Sequence, residues 1–143
     1  MTAALETFAQ KYPGAAVFAG GSGTSTAMLA VAPHRLVLKI NGTVQSDKLV
    51  GLLQKMRAAG HLPSDDFSAL IDLTEFTGAI DWDEIRKISE VMPKGASRTN
   101  KNAYLVHDTF LAMVAKITSV LFPQTECAAF TTEKEARAWL GWT

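Results

Sequence analysis

The sequence predicts a single α/β domain with a mixed, mostly parallel sheet of four to five strands and about four helices. Three observations lead there. From Arg35 onward, short apolar runs alternate with amphipathic stretches, and the whole chain reads in the order β-β-α-β-α-β-α-β-α. Two apolar segments flank Pro33-His34, which reads as an antiparallel hairpin opening the sheet. The chain has 143 residues, 48% hydrophobic and 20% charged, enough for one real core and too few for two ordinary domains.

Each element has a local reason. Leu5 and Phe8 stand at helical spacing in a short helix over residues 3–11, which Pro13-Gly14 ends. Ala15 to Ala19 is short and apolar enough for a strand, and the Gly20–Gly23 run reads as a turn or link. That run lacks the lysine of a P-loop and the third glycine of a dinucleotide fingerprint. Thr26 to Ala32 and Arg35 to Ile40 form the hairpin, with Leu36, Leu38 and Ile40 alternating as in a half-buried strand. After the Asn41-Gly42 turn, Ser46 caps a helix with Leu49, Leu52, Leu53 and Met56 on its apolar face, and Gly60 ends it.

Phe67 to Leu73 is a strand with a continuous apolar centre, the pattern of burial on both faces and hence of a central position. Asp81 and Glu84 have capping-box spacing, so a helix over Ile85, Ile88 and Met92 is expected up to Pro93. Asn102 to Val106 is the next strand. Asp108 caps the longest predicted helix, striped by Phe110, Met113, Val114, Ile117 and Leu121. Glu126 to Phe130 is the last strand. Thr132 and Glu135 form a second capping box, and Ala136, Trp139 and Leu140 face inward before Gly141.

Bulk properties exclude several function classes. There are 14 basic and 14 acidic residues, and Lys94, Arg98 and Lys101 make only a loose basic group, so nucleic acid is not an expected partner. A lone cysteine, Cys127 in the apolar run CAAF, gives neither an internal disulfide nor a cysteine-based zinc site. No apolar run approaches the roughly 20 residues that span a bilayer. The N-terminal stretch has Glu6 among its apolar positions and no basic leader, which predicts a cytoplasmic protein.

From Arg35 onward the chain resembles the SpoIIAA-like and STAS domain superfamily. The matching stretches are RLVLKINGTV leading into a helix, ALIDLTEFTG, NAYLV and the ending AAFTTEKEARAWLG. The resemblance divides the chain into an N-terminal extension, 1–25, and a STAS-like domain, 26–143. It implies a regulatory or protein-interaction domain, with a protein partner or a second copy of the chain as its partner. An alternative it implies is a carrier or sensor of a small apolar or acyl ligand. In the antagonists of this superfamily, a serine at a helix N-terminus is phosphorylated. The corresponding place here is Ala79-Ile80-Asp81-Trp82, where Trp82 stands at the acceptor position. Thr74 and Thr77 lie outside that position, so a switch of this kind is not expected.

Candidate site residues follow from the α/β pattern, because open sheets bind ligands beyond the carboxyl ends of their parallel strands. Those ends contribute Asp72, Thr74, Thr77, Asp81, Trp82, His107 and Asp108 as a ligand-binding set. Helix capping is the stronger reading of Asp81 and Asp108. His107 with Asp72 is the pairing a small enzyme would use as a general base, but no nucleophile signature such as G-x-S-x-G accompanies it. His34, His61 and His107 show no metal-ligand spacing, so neither metal nor cofactor is expected.

Overall fold

The computed structural model describes residues 3–22, 25–32, 34–43, 46–60, 68–77, 100–107 and 125–142. Helix α1 spans Ala3–Lys11. Strands β1 (Ala16–Ser22), β2 (Ser25–Ala32) and β3 (Arg35–Gly42) follow. Then come α2 (Ser46–Ala58), β4 (Ser68–Phe76), β5 (Asn100–Leu105), β6 (Thr125–Phe130) and a last described helix, here α3 (Glu133–Leu140). The helices expected over 81–92 and after Asp108 lie outside the described residues.

The six strands form one sheet in sequence order, β1-β2-β3-β4-β5-β6. The first two pairings are antiparallel and the next three parallel. The sheet thus has one strand more than the expected five. That strand is β1, and it runs on through Gly20 and Gly21 to Ser22 opposite Ser25. The pairing needs only main-chain groups, so the glycines weaken the strand without ending it.

Strand alternation sorts the core into two layers. One layer collects Leu29, Val31, Leu36, Leu38 and Ala69 beneath Leu52 and Met56 of α2. The other collects Met28, Ala30, Val37, Leu70 and Ala103 beneath Phe8 of α1 and Ala136, Leu140 and Trp142 at the C-terminus. Farther along the α2 side, Tyr104 and Val106 are buried against Ile71 and Leu73. β4 lies between β3 and β5, and Ala69 and Leu70 are buried on opposite faces, the central placement that its apolar run predicts.

β4 outruns the expected strand, reaching Phe76 rather than stopping at Leu73. Lys39 is opposite Asp72 and Asn41 opposite Glu75, so β4 spends one more residue than β3 over the same span, a β-bulge. Pairing resumes beyond it, with Thr77 N–H donating to the Gly42 carbonyl at 2.9 Å. Asp72 and Glu75 both follow the face of Val37 and Leu70 as a result.

α3 is fixed at both ends. Thr132 accepts the Glu135 N–H at its start, and Gly141 closes it in the left-handed region at φ 79°, where a side chain would strain the backbone. The Lys101 ammonium lies 5.1 Å from the Trp139 ring centroid, and the Arg35 guanidinium 5.3 Å from that of Trp142. These cation–π contacts hold the C-terminus over the starts of β5 and β3. Among the described residues, no helix is long and apolar enough to cross a membrane.

Leu70 is 1% exposed at the centre of the sheet. Truncation in Leu70→Ala should lower stability by about 3 kcal/mol through lost burial and a residual cavity. A urea titration would show a reduced midpoint with an unchanged slope.

Candidate functional site

The bulge in β4 organises the carboxyl ends of the parallel strands. Asp72 Oδ1 accepts the Thr74 N–H at 3.0 Å and the Thr74 hydroxyl at 2.6 Å. An aspartate is suited to this, since its short side chain reaches the backbone two residues on and satisfies a donor that the bulge frees from the ladder. Glu75, on the far side of the bulge, pairs with Lys39 of β3 at 3.4 Å. Thr77 stands exposed at the rim.

Two polar residues of the hairpin extend this surface. The Asn41 amide donates to the Thr26 hydroxyl at 3.4 Å, across a directly opposed β2–β3 pair. The other end of that amide, Oδ1, is buried without a hydrogen-bond partner. Most buried polar atoms are partnered, so Asn41 is held at a cost to stability. Beside it, Thr43 N–H donates to the Ser25 hydroxyl at 3.4 Å, which ties the end of β3 to the start of β2.

Tyr12 adds the α1 contribution. Its ring packs edge-on against Phe8, with centroids 5.2 Å apart, within the core layer of α1 and α3. Burial, then the negative charge of Glu133, pushes the phenol up to about 12 from its ordinary 10.0; Arg137 opposes this and Asp72 adds to it. The phenol therefore stays protonated at neutral pH, amid charges from the sheet and from α3. Lys11, its neighbour in the chain, pairs with Glu133 at the start of α3.

Of the sequence-predicted set, the described residues include Asp72, Thr74, Thr77 and His107. Asp72 and Thr74 are joined directly, and Thr77 follows on the same strand end. Asp81, Trp82 and Asp108 lie outside the described residues. His107 is exposed two residues beyond Leu105, the β5 partner of Asp72. No hydrogen bond joins His107 to Asp72 among the described residues, and one Asp72 oxygen is committed to Thr74. Sequence reading missed Lys39, Asn41, Glu75 and Tyr12. Lys39 and Glu75 meet only because the bulge shifts the register, and Tyr12 reaches the site by tertiary packing of α1.

The comparisons agree with this architecture. A sequence profile of the SpoIIAA-like family matches residues 35–141. Among solved structures, the chain is similar to an uncharacterised protein with a SpoIIAA-like fold from Shewanella loihica. The two superpose with a TM-score of 0.57 at 19% identity, over 89% of this chain and 94% of the other. No curated protein matches the sequence.

Two outcomes follow. Because folding raises the Tyr12 pKa, its contribution to stability is complete below about pH 10 and is lost as the pH rises toward about 12. Urea midpoints measured along this range should fall for the wild type and fall less for Tyr12→Phe. Asp72→Ala should cost about 1–3 kcal/mol by freeing the Thr74 donors. Asp72→Asn, which keeps an acceptor, should cost under half of that in the same titration.

Proposed function

The chain belongs to the SpoIIAA-like family, and on that premise we propose that it is a non-enzymatic regulatory or protein-interaction domain of the STAS type. Its recognition surface is the rim formed by the ends of β3 and β4, and the sequence pattern assigns Trp82, outside the described residues, to the same binding role. The observation that carries this reading is the Asp72–Thr74 turn. A carboxylate at a strand end is available for acid–base chemistry when its oxygens are free to meet substrate. Here the same group shapes the backbone and sets Glu75 against Lys39 with Thr77 outward. A hydrogen-bonded rim of this sort suits preorganised binding, which loses little freedom when a partner docks.

The residue pattern refines the mode of regulation. By the family resemblance, Trp82 corresponds to the position at which the phosphorylated antagonists carry serine. An indole there offers a large rigid contact area, the property that makes tryptophan common at binding hot spots. On this reading the rim binds its partner constitutively, and control lies in the availability of that partner.

Immobilised full-length protein should retain a specific protein partner from extracts of its host. Trp82→Ala and Thr77→Arg should each weaken retention at least tenfold while melting within a few degrees of the wild type. Undiminished retention by both variants would overturn the proposal. So would phosphate mapped to Thr74 or Thr77, or a measured turnover that falls away in His107→Ala.

A further inference from the structure

β1 is the outer strand of the sheet, and its seven residues, AVFAGGS, include neither a charge nor a proline. Its pairing with β2 is continuous from Ala16 opposite Val31 to Ser22 opposite Ser25, so no bulge turns it aside. Among the described residues, no strand pairs with its other edge. Natural sheets usually blunt such an edge with lysine, proline or a bulge, because unpaired N–H and C=O groups recruit another strand.

Gly20 carries a second observation. A glycine inside a strand costs stability and usually answers a positive φ or a close approach. Gly20 is not among the positive-φ glycines. A Cβ built on it would meet Leu52 at 3.9 Å, ordinary van der Waals contact. Neither its backbone nor its own helix layer therefore requires glycine at this position.

We propose that β1 pairs antiparallel with β1 of a second copy of this chain, about a two-fold axis through Ala19, joining two sheets into one. The strand is divided for this purpose, with Val17 and Phe18 before Ala19 and Gly20 and Gly21 after it. Rotation about Ala19 sets Phe18 opposite the partner's Gly20 and Val17 opposite the partner's Gly21. Opposed residues share a face, and Phe18 and Gly20 both lie on the α2 side. A large residue leaning over a cross-strand glycine is a known stabilising device of sheets. A two-fold contact of this type is isologous and closes after two copies, so the edge is used up without forming fibres. The chain itself is the chosen partner because this register pairs the bulky half of the strand with its bare half. The inference goes beyond the rim's role and does not depend on it.

Ala19 is exposed and falls opposite itself across the axis. Residues directly opposed in antiparallel strands have Cβ atoms about 5 Å apart, so like charges there repel. Sedimentation equilibrium should find the wild type dimeric, and Ala19→Lys and Ala19→Glu should each weaken dimerisation at least tenfold with wild-type melting curves. An equimolar mixture of the two variants should recover the dimer. As a measurement that does not rely on charge, Ala19→Cys in a Cys127→Ser background should form a covalent dimer on mild oxidation. A monomeric wild type, a dimer indifferent to both charges, or a mixture that stays monomeric would overturn the proposal. Each of those results leaves the rim proposal untouched, since its variants, at Thr77 and Trp82, are outside β1.

Discussion

The structure depends on one constraint, the burial of the central strands on both faces. Ala69 and Leu70 are each almost fully excluded from solvent and point to opposite helix layers. A strand in that position can carry polar groups only where it leaves the sandwich. Asp72 is the first polar residue after the apolar run of β4, and it stands at that exit. The bulge there replaces lost ladder bonds with side-chain bonds and lets pairing resume at Glu75 and Phe76. The apolar middle and the polar rim are therefore two consequences of one solvation requirement.

The two helix layers do different work. On one side α2 lies over the hairpin and covers its alternating apolar residues through Leu52 and Met56. On the other, α1 and α3 share a core layer, and their ends approach closely enough for Lys11 to pair with Glu133. That surface ion pair is worth little as energy. Its significance is geometric, because it places Tyr12 where the charges of α3 and of β4 both act on its phenol. Residues before the family-matched region thus contribute both to the shared core and to the rim.

The strand-end rim and the β1 edge are distinct features of the sheet. Asp72 and Thr74 fix the shape of the rim, and among the described residues β1 is an outer strand of the sheet. These surfaces are separate in the sheet, one at the strand ends and one along its side. The binding proposed for the first and the self-association proposed for the second therefore draw on different residues.

Much of this was determined by the sequence alone. Period-two alternation in β3, the unbroken apolar run in β4 and the Thr132–Glu135 capping box are local signals, and local physics reads them directly. The ending of the chain, with its Trp139 and Leu140, pointed to the family for the same reason. Tertiary structure alone decided the rest. Gly20 and Gly21 have no strand propensity, yet they are held in β1 because β2 supplies the hydrogen bonds. The bulge depends on two strands spending different numbers of residues over the same distance, and no single strand encodes that. Tyr12 is joined to Asp72, Glu133 and Arg137 by the packing of elements distant in sequence, and its protonation depends on that packing. Local pattern sets what each segment is, whereas registers and charge environments arise only when segments share a core.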